Sequence, residues 1–171
     1  VVPRPLRAEV TERLRHDGSV MVPLDPASVE AAVDGLVAEG IEALAICFLH
    51  AYASAAHEEA AAAIVRARHP ALHVSTSSTV FPYAREFERW TTTCANAYAM
   101  PMVDAYLGRL QAGFAELGFA GHLLVIGSGG GLMTPETARA FPVRLLESGP
   151  AAGVLMEAEF ARAERVDNLL S

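Results

Sequence analysis

Residues 122–140 read HLLVIGSGGGLMTPETARA. Residues 123–126 are apolar, glycine fills four of the next five positions around Ser128, and Thr134-Pro135-Glu136 then opens a helix. A strand, a glycine loop and a helix N-terminus are the parts of a phosphate cradle, because backbone N–H groups turn inward and the helix dipole adds positive potential. The stretch lacks the Lys and final hydroxyl of a P-loop, and Leu132 stands where a dinucleotide-binding loop has its last glycine. Ser128, Gly129, Gly130 and Gly131 are therefore candidates to hold an anion or a flat ligand. The alternative is a tight strand-to-helix turn in which glycine only permits a left-handed backbone.

A second helix start lies in ESGPAAG, residues 147–153. Ser148 or Gly149 would cap it with Pro150 at the first position, and the free N–H groups of that turn favour an anion. Glu147 opposes this if it faces the same site. The alternative is an ordinary capped helix in which Gly153 allows close packing.

REFERWTTTCANAYAMP, residues 85–101, is the third candidate. Thr and Asn are poor helix formers, so a Thr-rich helix flanked by Trp90 and Tyr98 suggests a polar cleft wall. Arg89, Thr93 and Asn96 share one face by their spacing of four and three. Against this, Arg85, Glu88 and Arg89 would form surface pairs while the threonines bond back to their own helix. His50 and His57, and His69 and His73, lack zinc-protease spacing and have no clustered carboxylates, so no metal site is expected. No hydrolase nucleophile motif is present, and no catalytic residue is assigned.

The elements that must position these groups are short and alternating. Residues 6–10 and 19–22 read as two strands around a turn at His16-Asp17-Gly18. Asp25 and Pro26 open a helix whose apolar face is Val29, Ala32, Val33, Leu36 and Val37, ending at Gly40. Residues 43–49 read as a strand buried on both faces. A helix capped by Ser54 follows over 55–68, and then a short strand over 72–75. Strands separated by helices imply a parallel pairing with a right-handed crossover. The helix after residue 82 carries Val103, Leu107, Leu110, Phe114 and Leu117 at helical spacing, kinks or restarts at Pro101, and ends at Gly118 or Gly121. Residues 123–126 and 143–146 are further expected strands.

Composition bounds the function. The chain has 171 residues, 52% hydrophobic and 19% charged, enough for one compact domain or two small lobes. All 13 cations are Arg, which excludes a Schiff-base or phosphate-binding lysine within it. A net charge of −7 without a basic stripe argues against nucleic acid as a partner. The longest apolar run, residues 43–49, is too short to span a bilayer, so no membrane association is expected. Cys47 and Cys94, distant in sequence and in apolar surroundings, fit reduced thiols of a cytoplasmic protein better than a bridge, and a bridge stays open. The chain begins without Met and ends on VDNLLS, which reads as a turn entering a strand; a piece of a longer protein is expected.

The segments RPLRAEVTERL, DGSVMVPLD, AICFLHAYASAAHE, FPYAREFERWTTTCANAYAMP, LLVIGSGGGLMTPETAR and RLLESGPAAGV, in this order, resemble the A-type (alpha) subunit of the ATP-dependent hydantoinase/oxoprolinase family. The resemblance covers essentially the whole chain. It implies an internal fragment of an α/β, actin/sugar-kinase-like ATPase fold, with a mixed sheet, flanking helices and a long kinked helix. Residues 1–80 would end the N-terminal lobe and 81–171 would begin the second.

The resemblance also implies an activity: ATP-dependent opening of a cyclic amide such as a hydantoin or 5-oxoproline through a phosphorylated intermediate. ATP and Mg²⁺ would be cofactors of the parent protein, held by Asp-Gly-Gly-Thr loops beyond both ends, and would not bind the fragment tightly. A B-type subunit would be the partner and a small cyclic amide the substrate. A ketone carboxylase of the same superfamily, and a non-catalytic docking module built on helices 55–68 and 103–117, are the alternatives. By family position, Ser128 to Gly131 and Ser148-Gly149 would lie near the nucleotide cleft. Arg89, Thr93, Asn96 and Tyr98 match the ER-x-x-x-T-x-x-NAY pattern and are carried over as cleft or lobe-junction residues. The family often has Asn where this chain has Gly129, which implies an altered contact or substrate class there.

Overall fold

The computed structural model describes residues 2–166 and 169. The strand expected to follow residue 166 falls mostly outside them. The chain is α/β and contains one long helix, as expected, and divides into two compact units, Val1–Pro101 and Met102–Ser171.

The first unit opens with a 3₁₀ turn, Arg4–Leu6, where a strand was expected. The hairpin around Asp17-Gly18 forms, but its first strand is β1, Arg13–Leu14, paired antiparallel with β2, Val20–Val22. Pairing must abut the turn, which closes through Gly18 N–H on Arg15 O and Arg15 N–H on Ser19 O, so residues 6–10 are too distant to join it. Helix α1, Pro26–Ala38, starts as its residues dictate: the Asp25 carboxylate accepts from Ala27 N–H at 3.1 Å, with Pro26 at the first position. Its stripe Val29, Val33 and Leu36 is buried.

β3, Ala43–Ile46, pairs in parallel with β4, His73–Thr76, with Ala45 opposite Ser75. Residues 43–45 are half-buried, so β3 is not covered on both faces as expected; only Ile46 is buried. Helix α2, Ala56–Arg68, crosses between the two strands. Ser54 does not cap it; Ala55 occupies that place and makes no side-chain bond. Ala61, Ala62 and Val65 of α2 join Val29, Val33, Ile46 and Val74 in the core of this unit. Each fully buried valine contributes about 1.5–3 kcal/mol. Polar ties brace the layer: Arg68 and His69 grip Asp34 of α1, and His57 Nδ1 lies 2.8 Å from the Glu12 carboxylate.

A short turn of helix, α3, spans Ser77–Val80, and the long helix α4 runs from Glu86 to Glu116. Pro101 lies inside α4, which is continuous through it, and the boundary between the units follows that proline.

The second unit contains the rest of α4, which stops at Gly118, where φ is +72° and Phe119 N–H reaches back to Phe114 O. Two strands follow, β5 (Val125–Ile126) and β6 (Leu132–Met133), paired antiparallel. Helix α5, Pro135–Ala140, is capped by Thr134 as expected. Residues Pro142–Leu145 form a 3₁₀ turn where a strand was expected. Helix α6, Ser148–Glu164, follows; none of its described residues is buried. The strands thus form three two-stranded sheets, one parallel and two antiparallel, among the described residues.

Candidate functional site

Two groups of predicted residues become two different objects. In the second unit, the glycine loop does not lead from a strand into a helix. It closes the β5–β6 hairpin, and α5 begins only after β6. The loop uses its own polar groups: Gly127 N–H donates to Gly131 O and Gly130 N–H to Gly127 O, each at 2.9 Å. Ser128 is committed as well. Its N–H donates to Arg144 O at 2.7 Å, and its hydroxyl lies against the carbonyls of Arg144 and Leu146. Ser128 therefore pins the hairpin to the 3₁₀ turn.

The glycines differ in what they require. Gly130 has φ of +77°, and a Cβ there would stand 3.0 Å from Leu155 Cδ1. At Gly129, Gly131 and Gly149 a Cβ would meet nothing within 4 Å. Ser148 is the first residue of α6, and its cap is Glu147, held at φ of +61° without a side-chain cap bond. The cap expected at Ser148 or Gly149 thus lies one or two residues earlier, placing Pro150 third in the helix, where its missing N–H still has no intrahelical acceptor. A cleft of about 610 Å³ in this unit is lined by Phe114, Phe119, His122, Leu124, Thr134 and Glu136 among others, and by none of the predicted site residues.

In the first unit, Arg89, Thr93 and Asn96 do share one face of α4, and all are fully buried. Arg89 makes no surface pair, whereas Arg85 and Glu88 form the expected one at 3.5 Å. Arg89 donates from Nε to Ser77 Oγ (3.1 Å), from Nη1 to Tyr83 O (2.6 Å) and from Nη2 to Phe48 O (3.1 Å), and its guanidinium stacks over Tyr52. Thr93 bonds back to Arg89 O, and Asn96 Nδ2 donates to Ser75 Oγ at 2.9 Å. Tyr98 points elsewhere and is 86% exposed.

The centre of this network is a residue the sequence reading passed over. Glu58, wholly buried, accepts from Phe48 N–H and Ser77 Oγ on one oxygen and from Ser78 N–H on the other, at 2.7–2.8 Å. A signal existed: Glu58 precedes Ala61, Ala62 and Val65 by three, four and seven positions, which places it on the apolar face of α2. His50, in the same loop as Phe48, holds φ of +59°, and its Nδ1 is buried without a partner among the described residues. Backbone strain of this kind concentrates where structure over-determines it.

Cys47 and Cys94 are free thiols, as expected from the sequence, and each is partly buried. The two thiols perturb one another: Cys47 holds the Cys94 thiol down at about 7, whereas Cys94 and burial push Cys47 up.

With this geometry in view, comparison with known proteins is decisive. The family model described as hydantoinase/oxoprolinase N-terminal region matches residues 1–69, and the one described as hydantoinase/oxoprolinase matches residues 89–171. The chain belongs to the hydantoinase/oxoprolinase family. It is 36% identical to the caprolactamase alpha subunit of Pseudomonas jessenii, over the whole of this chain and 25% of that protein. The crystal structure of that ATP-dependent caprolactamase superposes with a TM-score of 0.87 at 36% identity, covering 98% of this chain and 24% of the other. A nucleotide-free acetone carboxylase structure superposes at 0.80 with 26% identity, covering 95% and 23%. The 5-oxoprolinase of Saccharomyces cerevisiae is 34% identical over 77% of this chain and 10% of the yeast protein. The chain thus spans about a quarter or less of the length of these hydantoinase/oxoprolinase relatives.

Proposed function

We propose that this chain is part of an ATP-dependent hydrolase that opens a cyclic amide. The observation that carries this is the 36% identity to a caprolactamase subunit along the whole chain, joined to a superposition at 0.87. Residues 1–80 would complete one lobe of the larger protein and 81–171 begin the next. A B-type subunit is the proposed partner and the cytoplasm the proposed location. Mg²⁺ would accompany the nucleotide.

Gly129, Gly131 and Gly149 suit a cleft wall, because each leaves open space where a side chain would otherwise keep a ligand from the backbone. Ser128 would hold that wall in place through its bonds to the 3₁₀ turn and not touch the nucleotide itself. Bound ATP would supply phosphoryl transfer to the amide oxygen. The ligands for Mg²⁺ are proposed to belong to the Asp-Gly-Gly-Thr loops that the family resemblance implies elsewhere in the protein. Arg89, Thr93 and Asn96 would act by holding α4 against the strands, with Tyr98 free to meet a neighbouring part.

The test is ADP release by the intact subunit pair in the presence of caprolactam, a hydantoin or 5-oxoproline. Stimulation by one of these supports the reading, and its absence with all of them overturns it. A second reading, ATP-dependent ketone carboxylation, draws on the superposition with acetone carboxylase and on 26% identity to the acetophenone carboxylase gamma subunit of Aromatoleum aromaticum. Turnover requiring both a ketone and bicarbonate would select it. A docking module, the third alternative, loses one of its two helices: the apolar face of α2 is spent inside its own unit, leaving Met102 and Tyr106 of α4, and Leu117 just after it, exposed. The isolated 171-residue chain is proposed to be without ATPase activity.

A further inference from the structure

The cleft of about 610 Å³ in the second unit has no part in the proposed hydrolase reaction. Its size and its mixture of apolar walls with a few polar groups are those of a small-ligand site. The aromatic wall is fixed by the chain turn that ends α4. There Gly118 takes φ of +72° and Phe119 N–H returns to Phe114 O at 3.0 Å, so the two rings stand 5.2 Å apart, tilted by 43°. Gly121 sits against the Phe119 ring, where a Cβ would come within 2.4 Å of Cζ, so the ring keeps this place only over glycine. Phe119 is still half exposed, which leaves ring surface for a ligand. The charged group comes from the start of α5. Glu136 is the one carboxylate of the lining, and no Arg belongs to it. Arg139, one turn along α5, is committed elsewhere: its Nε lies 2.9 Å from the Asp104 carboxylate and its Nη2 donates to Gln111 Oε1 at 2.7 Å. The backbone N–H of Glu136, then the Thr134 hydroxyl, hold the Glu136 carboxyl below its ordinary value of 4.5, so it is charged in neutral solution.

We propose that this cleft binds a small organic cation with a flat apolar body, of the arylalkylammonium class, the Phe114–Phe119 wall taking the body and the Glu136 carboxylate the ammonium group. The lining selects the charge. An anion would be repelled by Glu136, with no Arg of the lining to offset it. A neutral apolar molecule would cover the carboxylate and strip its water without replacing the lost hydrogen bonds. An ammonium group replaces them with a charge-assisted bond, and the negative faces of the two rings attract the same charge. The lining also selects the body: Phe114, Phe119, Leu123 and Leu124 offer apolar surface, and an aromatic ring packs against tilted phenyl groups in an offset or edge-on arrangement.

The experiment is isothermal titration of the full-length protein with phenethylammonium chloride, and with 2-phenylethanol and 3-phenylpropanoate as its neutral and anionic counterparts. Saturable one-site binding of the cation is expected, with the neutral counterpart about tenfold weaker or more and the anion unbound. Glu136→Gln should weaken the cation about ten- to a hundredfold, the worth of a hydrogen bond to a charged group, and leave the neutral counterpart unchanged. Phe119→Ala should weaken both. Glu136 is exposed, so its substitution does not disturb the core. Absence of saturable cation binding, which is the result if another part of the protein fills the cleft, overturns the proposal. Equal binding of all three compounds overturns it too, as does cation binding that Glu136→Gln leaves undiminished. The heats are read without ATP or a cyclic amide, so this outcome and that of the hydrolase assay are independent, and the wild-type titration stands even if a variant does not fold.

Discussion

Glu58 and Arg89, both wholly buried, never touch in the bonds that hold them: one hydroxyl, that of Ser77, joins them. It donates to the Glu58 carboxylate at 2.7 Å and accepts from Arg89 Nε at 3.1 Å. The arrangement ties α2, the β4–α3 junction and α4 together and anchors the Phe48 backbone from both sides, its N–H on Glu58 and its carbonyl on Arg89.

Removing one member should therefore leave a buried charge without compensation. Glu58→Ala is expected to cost about 3–5 kcal/mol of stability. Glu58→Gln should cost less, about 1–3 kcal/mol, because its amide oxygen keeps only part of the acceptor set for Phe48 N–H, Ser77 Oγ and Ser78 N–H, and its N–H₂ faces a donor. Urea unfolding of the full-length variants, followed by circular dichroism, checks both.

Arg89→Lys keeps the charge and loses the fork. A lysine has one nitrogen where the guanidinium reaches Ser77, Tyr83 O and Phe48 O at three separate positions. At least one buried carbonyl is then orphaned, and a loss of about 1–3 kcal/mol is expected by the same measurement.

The glycine loop should discriminate between neighbours. Gly129→Asn, the residue that the family resemblance implies at this position, meets open space and should change stability by less than about 0.5 kcal/mol. Gly130→Ala must hold φ of +77° with its Cβ 3.0 Å from Leu155 and should cost about 1–2 kcal/mol. If the loop borders the nucleotide as proposed, the added amide of Gly129→Asn should lower the KM for ATP by about two- to tenfold, the worth of one hydrogen bond. Steady-state kinetics of the subunit pair read this out.

The exposed clasp between α1 and α2 should show itself in acid. The Arg68 guanidinium, and then His69, hold the Asp34 carboxyl well below its ordinary value of 3.8. A lowered folded value means the stabilisation is complete above the ordinary carboxylate range and drains away as pH falls below it. The difference in urea midpoint between wild type and Asp34→Asn should be constant above about pH 5 and shrink progressively below about pH 4.

The sequence by itself determined the features that depend on neighbours a few positions away. Asp25-Pro26 and Thr134-Pro135 start their helices because each cap satisfies donors two or three residues on, and Gly118 ends α4 because its own backbone can turn left-handed. The face shared by Arg89, Thr93 and Asn96 is a matter of helical period, and the order of short motifs was enough to identify the family. Tertiary structure decided the rest, because most of these outcomes rest on a partner far along the chain. The glycine loop became a hairpin once Leu132–Met133 found Val125–Ile126, and Ser128 was taken up by carbonyls sixteen and eighteen residues away. Residues 142–145 lost their strand character to a 3₁₀ turn that receives those bonds. Glu58, to which the sequence reading gave no role, became the hub of a buried network, since folding and not local preference selects which distant polar groups can satisfy one another.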